Sequence, residues 1–144
     1  METIANRFFL RSELLADKIA VTLGKDQLTF ADLANASRAL SATLLAQGHT
    51  KKNIGILLHN TPSFVIGFFG VLGSANTLIP INFLLQPKEV LRILRHSETR
   101  VLLTDPPLTE KVQQILAGSL EAIEIIEISK AVSEIPNPGK EEIS

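Results

Sequence analysis

Apolar positions along this chain recur with two different periods, and the changes of period mark out the elements. From Phe30 they run Phe30, Leu33, Leu40 and Leu44, with the small Ser37 between, in steps of three, four and seven, the spacing of one helix face. Thr29-Phe30-Ala31-Asp32 opens that run. It fits a capping box, in which the threonine oxygen and the acidic side chain three residues on satisfy backbone amides left unpaired at a helix start. Gly48 supplies the terminator, because glycine tolerates the conformation that ends a helix. Upstream, residues 4–14 read as a short helix. Residues 18–23, the turn-like Gly24-Lys25-Asp26 and residues 27–29 read as a small β-hairpin.

Downstream the pattern alternates. Residues 53–58 are a short apolar run bounded by turn residues, as expected of a strand covered on both faces. Thr61-Pro62 then supplies a cap and a first helical residue. Residues 63–72 are apolar nearly all round, which predicts a helix inside the domain. Gly67, Gly70 and Gly73, three apart, offer it a flat side for close packing. Strand 77–81 follows, then a helix opened by Gln86-Pro87-Lys88-Glu89 with Val90, Leu91 and Leu94 on its inner side. Its last turn carries Arg95 and His96, which suits the helix dipole. Strand 100–104, a helix from Pro106 or Pro107 to Ala117 ended by Gly118, and strand 122–128 complete the series. The predicted fold class is therefore α/β: a mostly parallel sheet with helices on both faces, joined by right-handed crossovers and preceded by a short β-hairpin. Residues 1–130 read as one domain portion and 131–144, with Pro136-Asn137-Pro138-Gly139, as a tail or cut linker. There is no internal repeat and no low-complexity tract.

Composition narrows the function classes. A length of 144 residues, 45% of them apolar and 20% charged, is ordinary for one globular domain. A formal net charge of −1 gives no global field for nucleic acid or an anionic membrane. The chain has no cysteine, which excludes disulfides, thiolate chemistry and Cys-based metal sites and makes the cytoplasm the default compartment. Residues 53–87 contain no Asp, Glu, Lys or Arg. A spanning helix needs about 20 continuous apolar residues, however, and this stretch is cut by Asn60-Thr61-Pro62-Ser63, by Ser74-Ala75-Asn76-Thr77 and by Pro80.

In an open parallel sheet the carboxyl ends of the strands are where ligands bind. Those ends carry His59-Asn60-Thr61, Asn82-Phe83 and Thr104-Asp105. His59 could serve as acid, base or ligand, or simply as a turn residue; Asp105, before Pro106-Pro107, could act in catalysis or cap the helix after it. His49, His59 and His96 stand at no metal-ligand spacing. Phosphate cradling needs a glycine-rich loop running into a helix, and neither Gly-x-x-x-x-Gly-Lys-Ser/Thr nor Gly-x-Gly-x-x-Gly occurs. Asn35-Ala36-Ser37 matches a glycosylation acceptor but falls inside the capped helix.

Five fragments in order carry a resemblance. They are Asp17-Lys18-Ile19-Ala20-Val21 with Leu28-Thr29-Phe30-Ala31-Asp32-Leu33; Ile54 through Phe64, containing Asn60-Thr61-Pro62; Gly70-Val71-Leu72 with Ile79-Pro80-Ile81-Asn82; Pro87-Lys88-Glu89-Val90; and Val101-Leu102-Leu103-Thr104-Asp105. In order and spacing the chain resembles the opening segment of the adenylate-forming, AMP-dependent synthetase/ligase superfamily, which includes acyl-CoA synthetases, luciferases and peptide-synthetase adenylation domains. Ala75 stands where that family usually has glycine, and Gly73 where it often has lysine. The resemblance implies part of a larger ligase N-terminal domain. It also implies, for a full-length parent, ATP, Mg²⁺ and coenzyme A, with an acyl-adenylate formed first and then passed to the thiol. The family's phosphate loop, adenine contacts and mobile C-terminal lysine lie downstream and transfer to no residue here. Pro80 and Asn82 are structural landmarks, so catalytic, cofactor-binding and metal residues are all expected to be none in this chain. The implied partner is the remainder of the ligase, in the same parent chain or as a separate subunit, with no nucleic acid and no membrane span. Exposed apolar surface could drive self-association. Two alternatives stand beside this reading: a noncatalytic interaction subunit that completes a separately encoded ligase, and a free-standing α/β signalling domain, which would need clustered acids where Asp105 stands alone.

Overall fold

The capping box forms as predicted: Thr29 Oγ1 accepts the Asp32 N–H at 3.1 Å, and Asp32 Oδ2 accepts the Thr29 N–H at 3.2 Å. The computed structural model describes residues 3–23 and 26–129. Its elements are α1 (Ile4–Leu14), β1 (Ile19–Leu23), β2 (Asp26–Thr29), α2 (Phe30–Ala46), β3 (Asn53–Leu57), α3 (Pro62–Gly73), β4 (Thr77–Pro80), α4 (Pro87–His96), β5 (Val101–Thr104), α5 (Pro106–Leu116) and β6 (Glu124–Glu127). Gly24-Lys25 of the predicted turn and the 131–144 tail lie outside the described residues.

β1 and β2 form the antiparallel hairpin. β3 to β6 form a parallel sheet in the order β4-β3-β5-β6. The chain steps from β3 outward to β4 through α3, then returns past β3 to β5 and on to β6 through α4 and α5. Crossovers of one hand that reverse direction put their helices on opposite faces, and the two cores show it. Ile54, Ile56 and Leu58 with Val101, Leu103 and Ile126 pack on Leu40 and Leu44 of α2 and Val71 of α3. The other residues of the pleat, Leu57, Leu102 and Ile81, pack on Val90 and Leu94 of α4 and on Leu108, Val112 and Ile115 of α5. Covered on both faces, the central β3 and β5 need no polar alternation.

The glycine side of α3 lies on α2. A Cβ on Gly70 would sit 2.5 Å from Leu40 Cδ2, and one on Gly73 would sit 2.7 Å from Ser41 Oγ. Ser41 Oγ also donates to the Gly70 carbonyl at 2.7 Å. These glycines are packing contacts between helices.

Several expectations need correction. α3 is not wholly interior: Gly67, Gly70 and Val71 are buried, whereas Phe64, Val65, Ile66, Phe68, Phe69 and Leu72 are half-buried. Phe69 stacks on Phe8 of α1 at 3.8 Å, but the described elements cover only part of the helix circumference. Leu91 of α4 is half-buried and packs against the core beside Val90 and Leu94, on the inner side as expected. β6 is shorter than the predicted 122–128 because its four residues pair one for one with the four of β5. Ala75, in the α3–β4 turn, has φ 62°, a left-handed conformation that explains why relatives would place glycine there. The Asn35-Ala36-Ser37 acceptor is indeed inside α2, with Ser37 buried and its hydroxyl donating to the Leu33 carbonyl at 2.7 Å. Among the described residues, no helix is long and apolar enough to cross a membrane.

Candidate functional site at the strand carboxyl ends

Strand order reverses between β3 and β5, which makes their carboxyl ends the topological switch point, where open α/β sheets form a crevice. The two residues just beyond these strands, His59 and Asp105, are brought together there. Asp105 Oδ2 accepts the His59 backbone N–H at 2.9 Å and lies 3.1 Å from His59 Nδ1. A carboxylate only accepts, so Nδ1 carries the proton in this contact. The other Asp105 oxygen accepts the Leu108 N–H at 3.2 Å, which caps α5 as one reading of the sequence had it. Asp105 is 5% exposed, and all three of its partners are N–H donors. His59 packs its ring against Phe83 at 4.7 Å.

Beside this pair, a cavity of about 370 Å³ is lined by Leu58, Asn60, Phe64 and the segment Pro80 to Leu84. Its wall is largely apolar. Asn82 lines it too, but Asn82 Oδ1 accepts the Leu84 N–H at 2.9 Å, a side-chain turn that shapes the loop after β4. Lys111 of α5 donates to the Phe83 carbonyl at 2.9 Å and pins the same loop. Thr109 Oγ1 lies 2.9 Å from Glu127 Oε2 and 3.0 Å from the Asp105 carbonyl, with one hydroxyl proton shared between the two acceptors, which extends the polar row to the end of β6.

Chemically, the pair has the form of an imidazole oriented by a carboxylate, yet among the described residues no hydroxyl is hydrogen-bonded to His59. A base without a nucleophile within reach makes no covalent catalyst. Thr61 caps α3 by position alone, without a side-chain bond. Among the described residues no three His, Asp or Glu side chains are grouped to hold a metal. Gly67, Gly70 and Gly73 lie within α3 and not in a loop, with Gly70 packed on Leu40 of α2 and Gly67 on Leu58 of the sheet. The described residues therefore form neither a phosphate cradle nor a Mg²⁺ ligand set.

The histidines divide between the two ends of the sheet. His49 and His96 precede β3 and β5, whereas His59 comes after β3. His49, 6% exposed, is a member of a cluster that the sequence reading missed. Its Nε2 lies 3.2 Å from Glu124 Oε1, and its Nδ1 lies 3.1 Å from Lys52 Nζ. Asn76 joins this layer, with its Nδ2 donating to the His49 carbonyl at 2.9 Å and its Oδ1 accepting the Lys52 N–H at 3.0 Å. Glu124 is 75 residues away in sequence, so only the β5–β6 pairing could have pointed to it.

Comparison with known proteins places this architecture. The profile of the AMP-binding enzyme family matches residues 9–143. Bacitracin synthase 3 of Bacillus licheniformis is 28% identical over 125 residues, covering 86% of this chain and 2% of that protein. 4-Hydroxybutyrate–CoA ligase 2 of Metallosphaera sedula is 28% identical over 100 residues, covering 69% of this chain and 18% of the ligase. A benzoate CoA ligase from Burkholderia xenovorans superposes with a TM-score of 0.83 at 20% identity over 95% of this chain and 29% of that one. The chain thus spans less than a third of the length of each of these three proteins. With a family profile that runs through nearly its whole length and a fold that agrees, this chain belongs to the AMP-binding enzyme family.

Proposed function

We propose that this chain forms the opening α/β portion of an ATP-dependent acid–thiol ligase and is inactive alone. The reading rests on the family profile across residues 9–143, taken with a sequence that has no glycine-rich phosphate loop. In the parent, a carboxylate oxygen attacks the α-phosphorus of ATP and pyrophosphate leaves; the thiol of coenzyme A then attacks the acyl carbonyl and AMP leaves. No step of that sequence is assigned to a residue of this chain: catalytic, cofactor-binding and metal residues are none.

The contribution of these residues is positional. Asp105 ties the ends of β3 and β5 together and caps α5, and Asn82 and Lys111 hold the loop that walls the cavity. Residues 1–130 supply the domain portion, and 131–144 are a tail or a linker to the rest of the ligase, in the cytoplasm. The Pro80-Ile81-Asn82-Phe83 segment favours an acyl-CoA synthetase, with fatty acid metabolism as its setting, over a peptide-synthetase domain. The partner is the remainder of the ligase. Half-buried Phe64, Phe68 and Phe69 on α3 are the surface it covers, and without it that surface favours self-association.

The test is carboxylate-dependent ATP–pyrophosphate exchange by the purified 144-residue chain. No exchange is expected with a panel of short, medium and aromatic acids. Exchange at ordinary enzymatic turnover overturns the reading.

A further inference from the structure

On the amino-terminal side of β5 and β6, away from the switch point, α4 and residues 117–123 enclose a groove of about 440 Å³. One wall is cationic. Lys88, Arg92, Arg95 and His96 line the groove at positions i, i+4, i+7 and i+8, one face of the helix. All four are exposed, and none makes an ion pair or a side-chain hydrogen bond among the described residues. The nearby acids are already engaged. Glu121 pairs with Arg100 at 3.7 Å, and Glu89 accepts the Gln86 N–H at 3.2 Å in the helix start.

Helix stability does not account for this stripe. Arg95 and His96 sit at the carboxyl end, where the dipole favours cations, but Lys88 sits in the first turn, where it disfavours them. Like charges four residues apart also repel. The same groove has an apolar side, with half-buried Leu91 and with Leu120 87% exposed at the rim.

From this juxtaposition of an unpaired cationic stripe and an apolar rim, we propose that the α4 groove docks an acidic amphipathic helix of a protein partner. Its carboxylates, spaced i, i+4 and i+7, face Lys88, Arg92 and Arg95, and an apolar side chain covers Leu120. The dimensions favour that class. Lys88 to His96 spans eight helical steps, about 12 Å of helix axis, too long for a single phosphate or carboxylate and matched by two turns of an acidic helix. No Phe, Tyr or Trp lines the groove, so the large aromatic platform typical of single-strand binding is missing. The chain's net charge of −1 gives no long-range attraction to a polyanion or an anionic bilayer.

The test titrates the full 144-residue chain into a labelled helical peptide with glutamates at i, i+4 and i+7 and leucines on the adjoining stripe, read by fluorescence anisotropy. Saturable binding is expected. Arg92→Glu/Arg95→Glu should weaken it at least about tenfold, since like charge now faces like, and Leu120→Ser should weaken it severalfold with charge unchanged. Raising salt should weaken it as well. Arg92→Gln/Arg95→Gln removes the charge without reversing it and serves if the reversal disturbs folding, which far-UV circular dichroism reports. Absence of saturable binding, or binding indifferent to the arginine substitutions, overturns the proposal. So does an affinity for a single-stranded oligonucleotide, for phosphatidylserine vesicles or for polyphosphate equal to that for the peptide.

Discussion

Replacing Asp105 by alanine removes three contacts at the switch point in one step. The carboxylate accepts the His59 N–H at 2.9 Å, the Leu108 N–H at 3.2 Å and the His59 ring N–H at 3.1 Å. Loss of a helix N-cap costs about 1 kcal/mol, and an amide left unpaired in a buried setting costs about 1–3 kcal/mol. The cap and the His59 amide together make Asp105→Ala destabilising by about 3 kcal/mol, a large part of the roughly 5–15 kcal/mol that holds a domain of this size. Asp105→Asn keeps one carbonyl acceptor and costs less, about 1 kcal/mol, for the remaining unpaired donor. The chain has no tryptophan and no tyrosine, so urea unfolding is followed by far-UV circular dichroism. His59→Ala retains the backbone amide, so a double-mutant cycle with Asp105→Ala isolates the ring contact, expected at about 0.5–1.5 kcal/mol of coupling. A loss below about 0.5 kcal/mol for Asp105→Ala, the range of an ordinary surface substitution, refutes the tie between the strand ends.

Three further outcomes rest on packing and backbone geometry. Gly70→Ala places a methyl 2.5 Å from Leu40 Cδ2 and should cost about 1–3 kcal/mol by overpacking; a urea midpoint equal to that of the unmodified chain would show that α2 and α3 do not meet this closely. Ala75→Gly relieves a left-handed alanine with φ 62°. It should stabilise by up to about 1 kcal/mol, the strain released less the extra freedom of glycine in the unfolded chain, and a lowered melting temperature contradicts this. Sedimentation at rising concentration should show oligomers, and an apolar dye should bind, because α3 leaves Phe64, Phe68 and Phe69 half-buried; a monomer at every concentration with no dye binding argues against a normally covered α3.

The elements that the sequence predicted best are those whose signals are local. The Thr29–Asp32 capping box involves residues three apart, and the 3.6-residue period of α2 and the Pro-led starts of α3, α4 and α5 are equally short-range, so their chemistry is visible without the fold. β6 was overextended because its length is set by its neighbour: it runs only as far as Val101–Thr104 offers partners. The candidate site was half legible. His59 and Asp105 could each be placed at a strand end by counting elements, but their contact depends on β3 and β5 being neighbours although α3, β4 and α4 intervene. The His49–Lys52–Glu124 cluster was illegible for the same reason, since β6 must lie beside β5 before Glu124 can reach a loop that precedes β3.

The misplacement of α3 carries more information than the correct elements do. A helix with Phe64, Val65, Ile66, Phe68, Phe69 and Leu72 has no polar face, and the sequence sets it inside a domain for the ordinary reason that apolar surface is removed from water. The described elements that pack on it are α1, α2, β1 of the hairpin and the parallel sheet. The adjoining edge strand β4 is in the same condition, since Leu78 and Ile79 are half-buried and, among the described residues, it pairs only with β3. The opposite edge is different: β6 begins and ends in Glu124 and Glu127, charges of the kind that discourage edge pairing. Half-buried apolar side chains are therefore grouped on the α3–β4 side, whereas the most exposed large ones, among them Leu14, Leu84 and Leu120, lie elsewhere. The grouped apolar side chains of α3 and β4 predict that substitutions of Phe64 and Phe68 by serine suppress self-association of the chain while substitutions at Glu124 and Glu127 do not.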